Sequence, residues 1–311
     1  MTTVPDELFV ELEARLPGAV TRDIPLAGLT TYKLGGPVAL LVRVRREGDL
    51  GALADVVRVH RPPLLFVGRG SNLLVADTGF AGVGVVLEGD LETIDLGGDG
   101  RTVGAGGALP LPVLARRSAA AGRAGLEFYV GIPGSVGGAV RMNAGGHGRE
   151  TSEVLVSVRV ADLAGDGAVE VRPVAVLDLG YRMSGLGPSE VVTGATFATT
   201  PEDPAVCDAR VAEVVRWRRE HQPGGANAGS VFANPEGDSA GRLIDASGCK
   251  GLRVGGAVVS EKHANFFQAE AGATASDVRA LVLEVQRRVR EATGIELRPE
   301  LRMVGFAEQE R

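Results

Sequence analysis

Leu8, Leu12 and Leu16 recur at helical spacing and run into Pro17-Gly18, which predicts a helix over residues 6–16. After Gly35-Gly36, an apolar run over 38–44 predicts a strand. Leu50, Leu53 and Val57 predict a helix over 47–60, and a short buried strand is expected over 64–67. That strand empties into a glycine-rich turn at 68–75, and another strand is expected over 83–87. The succession strand, helix, strand suggests a βαβ-like first domain.

Residues 92–106 alternate apolar and polar and end in Gly104-Ala105-Gly106-Gly107. A helix is expected over 110–121, stopped by Gly122, and the β-branched segments 154–160, 169–176 and 191–198 read as strands. A second domain therefore ends near Thr200. Asp203-Pro204 is an N-cap followed by proline at the first helical position, which predicts a helix to residue 220. Thr274 and Asp277 resemble a capping box. Val278, Leu281, Val285, Val289 and Ala292 then share one helical face, and Gly294 closes it. A last strand is expected over 295–305. Its parity puts Ile295, Leu297, Leu301 and Met303 on one face and Glu296, Arg298, Glu300 and Arg302 on the other.

A chain of 311 residues has room for two or three domains, and 44% hydrophobic with 23% charged residues supports packed cores. A net charge of −6 argues against a nucleic-acid partner, which needs a clustered basic face, but not against a local cationic pocket. The first twenty residues carry acids rather than a basic and then apolar leader, and no apolar stretch reaches the length of a membrane span. A cytoplasmic protein with no membrane insertion is expected. Cys207 and Cys249 form no CxxC pair and are expected to be free thiols.

No GxGxxG follows a strand, no GxxxxGK[ST] exists, and the four histidines lack metal-ligand spacing, so no metal is expected. The 45 glycines are instead concentrated in a few loops, at about twice the ordinary share of roughly 7%. Two of these loops follow strand-like or extended segments: Gly68-Arg69-Gly70-Ser71-Asn72 and Gly131-Ile132-Pro133-Gly134-Ser135-Val136-Gly137-Gly138. Each could be a tight turn that needs positive φ, or a nest of N–H groups that binds an anion. Two long ones in a single chain favour a large phosphate-bearing cofactor.

The blocks TTYKLGG (30–36), GRGSNLLV (68–75), GLEFYVGIPGSVGGAVRMNAGGHG (125–148), GYRMS (180–184), AGSVFANP (228–235), AGRLIDASGCKG (240–251), GGAVVSEKHANFF (255–267) and RPELRMVG (298–305) resemble the UDP-N-acetylenolpyruvoylglucosamine reductases, flavoproteins of peptidoglycan synthesis. The similarity runs from about residue 20 to 305. The glycine loops alone would indicate only the wider vanillyl-alcohol oxidase superfamily; the blocks after residue 180 are specific to the reductases. The resemblance implies an α+β fold: a two-part FAD-binding region of the vanillyl-alcohol oxidase/PCMH type, over 1–85 and 86–200, and a C-terminal α+β substrate domain over 201–311. It implies a monomer that uses FAD and NADPH to reduce UDP-N-acetylglucosamine enolpyruvate to UDP-N-acetylmuramate. Alternatives are another FAD-dependent oxidoreductase of the superfamily, or a non-catalytic nucleotide-sugar-binding module.

By the same resemblance, Gly68, Arg69, Gly70, Ser71, Asn72 and Leu73 wrap the cofactor pyrophosphate together with Gly131, Ile132, Pro133, Gly134, Ser135, Gly137, Gly138 and Ala139, and Arg302 approaches the flavin. Arg182 would bind the substrate carboxylate, since a guanidinium matches it in planar, bidentate fashion. Read by itself, a lone arginine is more often half of a surface salt bridge, and it is the motif that reverses this. Glu300, otherwise one residue of a charged strand face, would be a catalytic acid, and Ser230, otherwise a turn serine, the proton donor. Arg218, Gln222 and Asn234 are expected to hold the UDP-sugar, with Arg216 and Arg219 adding positive charge. The chain departs from the family pattern at Ala233 and Gln268.

Overall fold

The computed structural model describes residues 4–306. The N-terminal part is built on β1 (Val20–Pro25), β2 (Pro37–Val44), β3 (Leu64–Phe66), β4 (Leu73–Val75) and β5 (Phe80–Leu87). Four of these form a sheet in the order β1-β2-β5-β3, with β5 parallel to both β2 and β3. Helices α1 (Asp6–Arg15) and α2 (Asp49–His60) bury Leu8, Leu12, Leu50 and Leu53 in one cluster with Leu40, Val42 and Val83. The expected strand–helix–strand opening is present, with β1 added at its edge.

A second, antiparallel sheet comprises β6 (Ile94–Asp95), β7 (Thr102–Gly106) and the strands Leu155–Asp162, Val169–Pro173 and Glu190–Ala198. The expected alternation over 92–106 is therefore broken into two short strands by a turn. Helix α4 (Val136–Arg141) packs on this sheet, and α3 (Leu111–Ala120) and α5 (Pro204–His221) pack on each other and join the same apolar cluster. Helix α5 starts as the sequence indicates, with Asp203 accepting from the N–H of Ala205. Helix α4 was not expected, because its Gly137-Gly138 pair reads as a turn. A Cβ at Gly137 would lie 3.1 Å from the Val192 carbonyl oxygen and 3.2 Å from that of Gly107. Close packing on the sheet thus decides for glycine here, against helix propensity.

In the C-terminal part, α6 (Ala240–Ala246), also unanticipated, is capped by Ser239, which accepts from the N–H of Arg242. The strands Arg253–Val254, Ala257–Val259 and Phe267–Ala269 form a small sheet against α7 (Ala275–Thr293). The Thr274–Asp277 capping box and the left-handed Gly294 bound α7 as expected. Its buried stripe is Val278, Leu281, Val282, Val285 and Val289; Ala292 is exposed. Cys207 and Cys249 are both buried and free. No helix among the described residues is long and apolar enough to cross a membrane.

The strand expected over 295–305 is paired only over Arg302–Val304, where it runs parallel to β4. Residues before it follow the expected parity of burial, with Leu297 and Leu301 buried, but they cross to a different neighbour: Ala233 donates to the Arg298 carbonyl. The C-terminal part is also fastened by Asp77, which follows β4. Its carboxylate accepts from the N–H of Ala275 (2.8 Å), the N–H of Ser276 (2.9 Å) and the Ser276 hydroxyl (2.6 Å) at the start of α7. Burial pushes the Asp77 pKa up, but the Ser276 hydroxyl and the two backbone bonds outweigh it, and the carboxyl ends below its ordinary value. The stabilisation is therefore present above the unfolded aspartate pKa and lost as pH falls through the lower, folded one. Asp77→Ala is expected to cost about 1–2 kcal/mol in urea unfolding at neutral pH, as loss of a helix cap does. The gap from the parent should close in acid below about pH 4. A gap that stayed constant down to acid pH would show that the carboxylate charge is not what fastens α7.

Candidate active site

One cleft lies where the three parts of the chain meet. Gly68 to Leu73 line one wall, and Gly131 to Ser135 with Gly138 and Ala139 line the next. Arg218 and Gln222 at the end of α5, Ser230, and the Glu300–Arg302 segment complete it. The backbone joins these pieces directly. Asn72 donates through Nδ2 to the Glu300 carbonyl (3.1 Å), and the Arg302 N–H donates to the Asn72 carbonyl (3.1 Å). The Glu300 N–H donates to the Val231 carbonyl (2.8 Å), so Ser230 and Glu300 sit on adjoining chain segments.

The two glycine loops are tightly built and leave several N–H groups without acceptors among the described residues. Gly70 has φ +59, and a Cβ there would lie 2.0 Å from the Leu29 carbonyl oxygen, so only glycine lets this loop close. The N–H groups of Gly70, Ser71, Gly134 and Ser135 donate to no acceptor among the described residues. Ser135 caps α4, its hydroxyl accepting from the N–H of Gly138 at 3.4 Å. Gly137 is the one residue of the two expected loop sets that does not line the cleft: its N–H is bonded to the Gly107 carbonyl at 2.8 Å. The cleft is also strongly cationic, with Arg69, Arg141, Arg182, Arg218 and Arg302 around the single acid Glu300. In a chain of net charge −6, this concentration suits a ligand with several negative charges.

Arg182 and Glu300 are brought together, with Nε 2.9 Å from Oε1. The contact has the distance of an ion pair but not the alignment of a hydrogen bond, so the buried Nε and Nη1 of Arg182 lack acceptors. Such groups are costly to leave unmet and mark where an incoming acceptor is favoured. Glu300 is pushed up by burial; the nearby charge of Arg182, and that of Arg298, oppose this without reversing it. Burial lowers the Arg218 pKa, and its Nε donates to Gln222 Oε1 at 2.7 Å. Arg216 and Arg219 are exposed and lie outside the cleft lining.

Asn234 does not line this cleft. It borders an adjoining depression with Lys250, Lys262 and His263, and Ser230 lines both spaces. The Asn234 side chain accepts from the N–H of Ala240 at 3.0 Å, which helps start α6. Sequence reasoning passed over Arg141, which donates to the carbonyls of Leu186 (3.2 Å), Gly187 (3.1 Å) and Glu190. Its signal was available: it is the one charged residue in the run from Ser135 to Ala144. Burial lowers its pKa, and the facing charge of Arg302 adds to that. Among the described residues, no group of three His, Cys, Asp or Glu is arranged to hold a metal ion.

Residues 38–171 match a family model described as FAD binding domain. Residues 221–304 match one described as UDP-N-acetylenolpyruvoylglucosamine reductase, C-terminal domain. The chain is 44% identical over 309 residues to the UDP-N-acetylenolpyruvoylglucosamine reductase of Paramagnetospirillum magneticum, covering 98% of each. It is 38% identical over 303 residues to that of Bacillus velezensis, covering 96% of this chain and 99% of the relative. Among solved structures, UDP-N-acetylenolpyruvylglucosamine reductase from Thermus caldophilus superimposes with a TM-score of 0.79 at 39% identity, covering 91% of this chain and 98% of that one.

Proposed function

The chain belongs to the UDP-N-acetylenolpyruvoylglucosamine reductase family, and we propose that its cleft carries out the NADPH-dependent reduction of UDP-N-acetylglucosamine enolpyruvate to UDP-N-acetylmuramate, a step of peptidoglycan precursor synthesis. The observation that carries this reading is the buried Arg182 guanidinium, with two unmet N–H groups, against a Glu300 whose pKa is raised. The cofactor is FAD, and the free N–H groups of the two glycine loops suit its pyrophosphate. Residues 1–85 and 86–200 would hold the flavin and 201–311 the UDP-sugar. We place the enzyme in the cytoplasm as a monomer.

Bound FAD, reduced by NADPH, supplies a hydride to the methylene carbon of the enolpyruvyl group. The chain's own residues manage the charge and the proton. As the C–H bond forms, the π electrons move to the neighbouring carbon and into the carboxylate. Arg182 holds that carboxylate through Nε and Nη1, a planar, charge-assisted pairing. Protonated Glu300 donates a hydrogen bond to the same developing negative charge, which a raised pKa in a partly dry site permits. Ser230 delivers its hydroxyl proton to the carbon beside the carboxylate and recovers one from water. Arg218 and Gln222, with Asn234 on the far side of Ser230, would face the nucleotide end.

Purified protein reconstituted with FAD should turn yellow and, in the absence of oxygen, consume NADPH beyond the amount that reduces the bound flavin only when the enolpyruvyl nucleotide is added. Continued anaerobic NADPH turnover that the nucleotide does not change would refute the proposal. The protonated form of Glu300 persists to higher pH than an ordinary carboxyl but is lost above its own pKa. The substrate half-reaction should therefore slow as pH rises through that value. Glu300→Gln, an amide donor that does not titrate, should flatten this limb of the pH–rate curve.

A further inference from the structure

Arg182 occupies a backbone position that ordinarily goes to glycine, with φ 59. The tight turn that carries it is closed by Met183 N–H to the Gly180 carbonyl (3.2 Å) and Gly180 N–H to the Met183 carbonyl (3.1 Å). Most of the surrounding segment is partly exposed: Tyr181 at 41% and Met183 at 48%. A turn of this kind would not hold a guanidinium to a fraction of an ångström by itself. Tyr181 accepts from the N–H of Asn234 (3.3 Å) and Ser184 donates to the Arg141 carbonyl (2.9 Å), both from the flanks. From inside, the turn is held by one side chain, Asn143.

Asn143 is 1% exposed and itself has φ 39. Its Nδ2 donates to the Gly180 carbonyl at 3.0 Å and to Glu150 Oε2 at 3.0 Å, and its Oδ1 accepts from the N–H of Ser152 at 2.9 Å. Both its N–H groups and its oxygen are thus engaged, so the amide has one orientation. Its own N–H bonds to the Val140 carbonyl (3.2 Å), at the end of the helix that begins beside the glycine loop. Gly145, two residues on, lies so close that a Cβ there would sit 3.1 Å from Arg182 Nη1.

We propose that Asn143 is a positioning residue, which sets the Arg182 turn against the flavin-side wall so that the guanidinium meets the substrate carboxylate. This rests on the functional reading above. The working variant is Asn143→Asp combined with Glu150→Gln. Aspartate tolerates the left-handed backbone and still accepts from Ser152, and the new glutamine amide restores the link to residue 143. What remains missing is the donor to the Gly180 carbonyl. The double variant should fold, bind FAD and accept electrons from NADPH at the parent's rate. Its oxidation by the enolpyruvyl nucleotide should be about 10- to 100-fold slower, the cost of a small misplacement. Binding of that nucleotide to the oxidised enzyme, followed by the flavin absorbance change, should weaken. In an Arg182→Ala background the same two changes should cost nothing further, because the contact they disturb is already gone.

Arg182→Ala measured alone reports on the functional reading itself. Given an impaired Arg182→Ala, a normal substrate half-reaction in the double variant overturns only the role of Asn143. Losses that multiply with that of Arg182→Ala overturn it too, since they would mean that Asn143 acts on the fold at large. Asn143→Gly, which suits the same φ and keeps none of the three bonds, should reproduce the slow substrate half-reaction if it retains flavin; parent-rate oxidation in it also overturns the role.

Discussion

Arg182→Ala is expected to slow reoxidation of the reduced flavin by the enolpyruvyl nucleotide about 10²- to 10³-fold, the cost of losing a preorganised donor to developing charge. Reduction of the flavin by NADPH should continue. The reason is where the guanidinium stands: two buried N–H groups without acceptors, beside a carboxyl whose pKa burial raises. Arg182→Lys should recover only part of the loss, because an ammonium is a point charge and cannot make the planar, two-pronged contact. Stopped-flow absorbance of the two half-reactions measures both rates separately. Equal slowing of the two would mean that the arginine supports the cleft in general and has no particular partner in the substrate.

Ser230→Ala should give a similar split, with a deficit of about 10²- to 10⁴-fold in substrate reduction, the usual contribution of a positioned proton donor. The serine is carried by a loop whose shape is fixed locally. Asn227 accepts from the Gly229 N–H at 3.0 Å and donates to the carbonyls of Gly224 and Gly225. Gly229 has φ +73, and a Cβ there would meet nothing, so the glycine serves the backbone conformation and not clearance. Residue 230 bridges to Phe266 and precedes Val231, the acceptor of the Glu300 N–H. Alanine disturbs none of these backbone bonds, so flavin binding and thermal unfolding should stay close to the parent's. Parent-like turnover in this variant would remove Ser230 from the proton-donor role.

How far the sequence could be read depended on the range of the signal. Helix α7 was legible from end to end because its capping box, apolar stripe and closing glycine all lie within one turn of what they control. Helix α4 was not: its Gly137 packs against the Gly107 and Val192 carbonyls, which no local pattern announces. Parity over 295–305 correctly separated Leu297 and Leu301 from the charged positions but said nothing about which of them would face a cleft. Glu300 and Arg182 are 118 positions apart in the chain, and only the resemblance to the reductases joined them before the structure did. Asn143 carried no signal at all, since a buried amide that bonds to a distant carbonyl looks like any loop asparagine. Asn234 is a half-legible case, expected near substrate and found on the far side of Ser230 with its oxygen already spent on α6.

The pairing of Arg302–Val304 with β4 bears on how the protein comes into being. Asn72 and the Glu300 carbonyl that it bonds are 228 positions apart. On the ribosome, the N-terminal sheet can form early. Glu300, which we take to be the acid, and Arg302, which pairs with β4 beside that sheet, can dock only after the 228 positions that separate Asn72 from Glu300 have been made. Such a long closure is entropically slow and is made late. Newly made chains should therefore pass through a stage in which both glycine loops exist but the wall opposite them does not. Flavin capture during translation would be weak until that final strand docks, and stalled or shortened chains should emerge colourless even where most of their sequence has folded.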